Sequence, residues 1–317
     1  MTSRHLIDPQ LTAWLAAMPA ETLTRETLAA RRTFIAEIAR TKSPPLPDTV
    51  TMQEVFLPGP PGAPDVRALV FRRRESGPRS PAILHIHGGG FVAGQPEMSR
   101  ATTAGYADAL GAVVVSVDYR LAPETPFPGA LEDCYVALAW MHEAAASIGV
   151  DPSRIAVSGE SAGGGLAAAL ALIARDRGRY AIAFQHLTYP MLDDRTAART
   201  DISPFIGEFV WTNACNHFGW SSLLGARPGS DGVSQYAAAA RATDLSGLPP
   251  AVVLCGALDL FLEESIDYAR RLILAGVPCE LHVYAGAPHG FPAAWRAEVS
   301  KTFERDSREA LRRALGA

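Results

Sequence analysis

The sequence predicts an α/β protein: a mixed, mostly parallel sheet of about eight strands, flanked by helices and carrying a helical cap. Three observations carry this expectation. Short apolar runs rich in β-branched residues alternate with helical patterns of 12–20 residues from about residue 80 onward, the signature of βαβ units. Two earlier runs are joined by a turn-rich segment, which adds an antiparallel pair at one edge. The chain has 317 residues, 48% hydrophobic and 20% charged, enough to bury a large core without disulfide staples.

Residues 1–43 read as amphipathic helix, with Leu11, Trp14, Leu15, Leu23, Leu28, Phe34 and Ile38 as apolar points, stopped by Pro44, Pro45 and Pro47. VTMQEVFLP and DVRALVFRR flank PGPPGAPD and form the first two strands. PAILHIH (81–87) is a buried strand, 98–110 a helix and AVVVSVDYR (112–120) a strand. The helix 131–149 leads to the strand RIAVSG (154–159), and SAGGGLAAALALIARDRG (161–178) is a helix ending at Gly178. AIAFQHLTYP, AVVLCGALD (251–259) and CELHVYAG (279–286) supply the remaining strands; 263–275 and 294–315 are helices. Residues 191–247 break the rhythm with an aromatic-rich helical piece and a Gly/Pro/Ser loop. Insertions of this kind in α/β enzymes usually build lids. The expected organisation is a cap from 1–45 and 191–247, and a core from 46–190 and 248–317.

Charge and cysteine usage exclude several classes. The 29 basic and 33 acidic residues leave a net charge of −4, so neither nucleic acid nor an anionic membrane is an expected partner. No apolar stretch is long enough to span a bilayer, and the first residues lack the cationic-then-apolar ramp of a secretory signal. Cys134, Cys215, Cys255 and Cys279 are widely spaced without a CxxC, which favours reduced, buried thiols over a metal site or disulfide framework. The expected location is the cytoplasm.

The strongest chemical signal is Gly159-Glu160-Ser161-Ala162-Gly163, a G-x-S-x-G with a strand before it and a helix after it. That context pushes the Ser161 hydroxyl out of the sheet and sets the positive end of a helix beside it. A second signal is His87-Gly88-Gly89-Gly90-Phe91, directly after a strand. Consecutive glycines there free backbone N–H groups for an oxyanion, so Gly88, Gly89 and Ala162 are the expected donors. A phosphate-cradling loop fits less well, since neither a P-loop lysine nor a dinucleotide spacing is present. His87 is expected to orient the loop rather than to titrate.

HGGGF (87–91), DYRLAPE (118–124), GESAGG (159–164) and APHGF (287–291), in that order, resemble the bacterial hormone-sensitive-lipase-like esterases of the α/β-hydrolase fold. The matches span most of the chain. The resemblance implies that His289, in a loop after the last strand, is the general base. His5, His85, His142, His186 and His282 lie at the terminus, on a helix or within strands, where packing is the simpler reading, and His217 lies in the lid. Asp259, after the strand AVVLCGAL and 30 residues before His289, completes the order Ser–acid–His. The family pattern D-P-L-x-D-E is altered here to Asp259-Leu260-Phe261-Leu262-Glu263-Glu264. Asp193 and Asp194 are rivals better read as lid-hinge or capping residues. Asp118, Tyr119 and Arg120 are expected to support the glycine loop.

These residues predict a serine carboxylesterase acting on small-molecule esters of short-to-medium acyl chain, with no metal or organic cofactor. Phe205, Phe209, Trp211 and His217 are candidates to touch substrate, although the aromatic residues could equally pack the cap on the core. Amide hydrolysis by the same triad is an alternative. A non-catalytic small-molecule receptor is another, because fold does not fix function. Relatives that pair through an edge strand suggest a homodimer through 279–286.

Overall fold

The computed structural model describes residues 2–18 and 22–317. Eight strands form one sheet in the order β1-β2-β4-β3-β5-β6-β7-β8. They are β1 (Val50–Leu57), β2 (Val66–Arg73), β3 (Ser80–Ile86), β4 (Val113–Asp118), β5 (Val150–Glu160), β6 (Phe184–Thr188), β7 (Ala251–Gly256) and β8 (Cys279–Tyr284). β2 runs antiparallel to both β1 and β4, and every pairing from β4 to β8 is parallel. The strands β3, β6 and β7 are buried along their whole length, which is why β3 and β7 read as apolar runs rather than alternating ones.

Nine α-helices accompany the sheet: α1 (Thr12–Ala16), α2 (Leu28–Lys42), α3 (Arg100–Leu110), α4 (Gly129–Glu143), α5 (Ala145–Ile148), α6 (Ala162–Arg177), α7 (Asn213–Leu224), α8 (Leu262–Leu274) and α9 (Glu298–Leu315), counted among the described residues. α6 is buried from Ala162 to Ala174; its alanines and glycines let it lie close against the sheet. Two apolar cores result. One unites α4, α6 and α8 with one sheet face, and the other unites α3 and α9 with the opposite face. A third, small cluster of Leu23, Leu28, Val92, Ala122 and Cys215 lies outside them.

Strand order reverses between β3 and β5: β4 lies on one side of β3 and β5 on the other. Such a switch point opens a crevice at the carboxyl ends of the strands. β3 ends at Ile86, paired with Gly159 of β5, and β5 ends at Glu160, paired with Thr188 of β6. The glycine loop and Ser161 therefore leave the sheet side by side.

The expected long N-terminal helix is interrupted. Thr24 N–H donates to Thr27 Oγ1 at 2.9 Å, and Thr27 Oγ1 donates to the Thr22 carbonyl at 3.1 Å. Threonine hydroxyls compete with the helical ladder in this way, and residues 25–27 form a turn before α2 begins. Within 191–247 the one α-helix is α7, capped by the Thr212 hydroxyl. Asp193 caps a short 3₁₀ turn, and buried Asp194 holds Arg241 and the Gly229 N–H. Both carboxylates thus organise the inserted segment, as the sequence suggests.

Candidate active site

Ser161 occupies the junction of β5 and α6 with φ 56° and ψ −119°. A non-glycine residue at such a φ stores about 1–3 kcal/mol of strain, and the surroundings hold it there. Its N–H donates to the Thr188 carbonyl at 2.9 Å, and its carbonyl accepts from Gly165 and Met191. Gly163 is required by close approach: a Cβ there would lie 2.0 Å from the Ile86 carbonyl oxygen.

The Ser161 hydroxyl lies 3.0 Å from His289 Nε2, and His289 Nδ1 lies 2.8 Å from Asp259 Oδ2. Asp259 is fully buried, and its other oxygen accepts the Phe261 N–H at 2.9 Å. This arrangement assigns the proton to Nδ1 and leaves Nε2 free to accept from serine. His289 reaches the site from the loop after β8 and is boxed in by aromatic rings. Tyr189 lies 4.6 Å away, Phe261 5.4 Å and Trp211 6.2 Å, measured between centroids.

The glycine loop is held by its carbonyls. The Tyr119 hydroxyl donates to the His87 carbonyl at 2.9 Å, and His87 Nδ1 donates to the Gly88 carbonyl at 2.8 Å. In a trans peptide the N–H points opposite to the carbonyl. Pinning these two carbonyls therefore aims the N–H groups of Gly88 and Gly89 away from the body of the loop. Among the described residues neither they nor the Ala162 N–H donate to a protein acceptor. Gly89 has φ 125°, and a Cβ there would lie 2.0 Å from the Ala93 carbonyl oxygen.

Burial of His87 pushes its pKa down to about 4, so the ring is neutral and stacks on Tyr119 at 4.2 Å. The rest of the DYRLAPE segment is equally structural. Asp118 pairs with Arg67, and Arg120 makes a multidentate pair with buried Asp133. Glu160 turns away from the nucleophile to His85 Nε2, 3.0 Å from one carboxylate oxygen and 3.1 Å from the other.

The substrate-contact candidates separate. Trp211 comes to the site: its ring lies on Gly90, where a Cβ would be 2.1 Å from Cη2. Phe209 is half-buried and precedes it. Phe205 is exposed and meets His5, 6.3 Å between centroids. His217 is exposed on α7 and, among the described residues, its ring bonds only Ser221, one turn along its own helix. The reason is helical phase: Cys215, Asn216, Gly219, Trp220 and Leu223 form the buried face of α7, and 217 falls outside it. Tyr189 and Phe261, which do flank His289, were not singled out from the sequence. Their signal is position alone, one just after β6 and the other two residues after Asp259.

A family model described as alpha/beta hydrolase fold matches residues 83–293. Esterase LipI of Mycobacterium tuberculosis is 32% identical over 295 residues, covering 90% of this chain and 88% of that one. Carboxylesterase NlhH of the same species is 33% identical over 305 residues, covering 91% and 90%. Among solved structures, a bacterial heroin esterase superposes with a TM-score of 0.93 at 40% identity, covering 99% of each chain. A match over more than half the sequence, with relatives of this similarity along nearly its full length, means that the chain belongs to the alpha/beta hydrolase fold family.

Proposed function

We propose that this protein is a serine carboxylesterase of the hormone-sensitive-lipase-like group, with Ser161 as nucleophile, His289 as general base and acid, and Asp259 as its orienting acid. The observation that carries the reading is the relay Asp259–His289–Ser161, with bonds of 2.8 and 3.0 Å. His289 takes the Ser161 proton as the hydroxyl attacks the ester carbonyl, and Asp259 stabilises the imidazolium. The oxyanion develops toward the N–H groups of Gly88, Gly89 and Ala162, which are already oriented and owe nothing to another acceptor. His289 returns the proton to the leaving alcohol. It then draws one from water, which attacks the acyl-enzyme and restores Ser161.

The enclosure of the site supports a small substrate. Ser161 and His289 are 5% and 7% exposed, and the Trp211 ring, from the segment 191–247, lies 6.2 Å from that of His289. We read that segment and the described residues of 1–45 as a cap, and small esters of short-to-medium acyl chain as the substrates. Cys134, Cys215, Cys255 and Cys279 are all free thiols, which fits a cytoplasmic location. No helix of the described residues is long and apolar enough to cross a membrane.

The test is hydrolysis of a p-nitrophenyl ester series by the wild type and by Ser161→Ala, with a fluorophosphonate probe of the nucleophile. The expected result is activity peaking at short chains, with both turnover and labelling lost in the variant. Wild-type hydrolysis by Ser161→Ala would overturn the reading.

A further inference from the structure

The glycine loop is also braced from outside the core. Arg32 lies on the inward stripe of α2 with Leu28, Ile35 and Ala39. Its Nε donates to the Val92 carbonyl at 2.7 Å, and one terminal nitrogen donates to the Ala122 carbonyl at 2.9 Å. Both terminal nitrogens reach the Glu124 carboxylate at 2.8 Å.

The two carbonyls belong to residues that themselves hold the loop. Val92 N–H donates to the Gly89 carbonyl at 3.2 Å, and Ala122 N–H donates to the Phe91 carbonyl at 2.9 Å. Two short hydrogen-bond chains thus run from one guanidinium to the segment Gly89–Phe91. Around them, Leu23, Leu28, Val92, Ala122 and Cys215 form the small third apolar cluster, with Trp211 and Phe218 against it. Both halves of the cap and the glycine loop meet there.

We propose that Arg32 is a positioning residue for the oxyanion loop, so that seating α2 on the core and aligning the Gly88 and Gly89 donors are one event. This rests on the reading of those N–H groups as the oxyanion site. Arginine suits the task because its planar fork addresses three acceptors from fixed directions, which a lysine ammonium on a flexible stem does not. The pair with Glu124 contributes little by itself, since that carboxylate side chain is 62% exposed. The positioning therefore comes from the two carbonyl bonds. Lifting α2 would leave Val92 and Ala122 without this donor, so the glycine loop would relax as the cap opens.

The test compares wild type, Arg32→Ala, Arg32→Lys and Tyr119→Phe on p-nitrophenyl butyrate, with thermal midpoints measured for each. In Arg32→Ala, kcat is expected to fall about ten- to a hundredfold, the scale of a misplaced reacting geometry, with a smaller change in KM. Affinity for an alkylboronic acid, which mimics the tetrahedral intermediate, should fall in parallel. Arg32→Lys should lie between. The Arg32 side chain is 29% exposed, so millimolar guanidinium should restore part of kcat to Arg32→Ala and none to Arg32→Lys. A folded Arg32→Ala with unchanged kcat, or a loss that guanidinium does not rescue, would overturn the proposal. Tyr119→Phe separates the two readings. If it lowers kcat while Arg32→Ala does not, only the Arg32 brace fails; a wild type that binds the boronic acid no more tightly than butyrate would instead overturn the oxyanion assignment.

Discussion

At the scale of single residues, the glycine loop is set by groups outside the Asp259–His289–Ser161 relay. Tyr119 and His87 each donate one hydrogen bond to a backbone carbonyl, and those two bonds decide where two N–H groups point. Removing the phenolic oxygen in Tyr119→Phe leaves the stacked ring in place and frees the His87 carbonyl. The expected cost is about 1 kcal/mol of stability for the lost bond, and a drop in kcat of about tenfold, below the full loss of an oxyanion donor. Steady-state kinetics beside a urea melt checks this; a change confined to stability would show that the Gly88 peptide is fixed by other means. Asp259 makes a sharper case. In Asp259→Asn the amide N–H would face His289 Nδ1, favouring the tautomer that protonates Nε2 and blocks the base. The expected loss is about 10³–10⁴ in kcat with the fold intact, read as turnover against an unchanged circular dichroism spectrum.

At the scale of elements, the strands were legible and the polar chemistry between them was not. β3, β4 and β7 are dense in β-branched or apolar residues because both of their faces are covered, and such runs stand out in sequence. The nucleophile elbow and glycine loop were legible because a sharp turn and a close backbone approach leave few residue choices. The threonine turn before α2 was not, since Thr22, Thr24 and Thr27 also suit an exposed helix face. Nor was the brace at Arg32, whose partners lie 60 and 90 residues away. Histidines within strands read from sequence as packing, yet they form a row. His85 on β3 is in register with Ser116 on β4 and Ser158 on β5, and Ser158 with His186 on β6. His85 bonds Ser116 and Glu160; His186 bonds Ser158 at 3.0 Å and Ser307 of α9 at 2.8 Å. Burial pushes the pKa of His186 down to about 4, with Glu160 opposing that shift and His85 adding to it. The folded pKa lies below the unfolded value near 6.5, so the unfolded chain binds more protons between the two. Stability is therefore complete above about pH 6.5 and declines as pH falls toward 4. The cost from His186 is about 2 kcal/mol at pH 5, and His87 adds a similar amount. Urea melts from pH 7.5 to 5 should show this decline, and His186→Gln should reduce its slope. An identical slope in the variant would remove His186 from the account.

At the scale of the whole molecule, the sheet ends in an unpaired strand beside an apolar surface. Among the described residues β8 pairs only with β7, and its Leu281 and Val283 are exposed. On neighbouring α8, Ile266, Ile273 and Leu274 are exposed as well, and Leu274, at 73%, is the most exposed large apolar side chain among the described residues. Five such side chains on adjacent elements form the kind of patch that soluble proteins usually cover. β8 also carries Glu280, whose carboxylate turns to Arg313 of α9, and His282, whose ring turns to Asp306 of α9. That leaves the backbone edge of β8 open to a second strand, where lone charges would otherwise block edge pairing. The occupant we expect is a second copy, with β8 meeting its own counterpart about a two-fold axis and α8 packing on α8, because a strand edge can pair with itself in that way. Light scattering at micromolar concentration should give a dimer, and Val283→Lys with Leu274→Glu should give a monomer. The triad lies at the carboxyl ends of β5 and β7 and in the loop beyond β8, so the monomeric variant should keep its kcat while losing thermal stability in a concentration-dependent assay. A wild type that stays monomeric throughout that range would leave the patch without the partner assigned to it here. A dimer that survives both substitutions would place the contact elsewhere on the molecule.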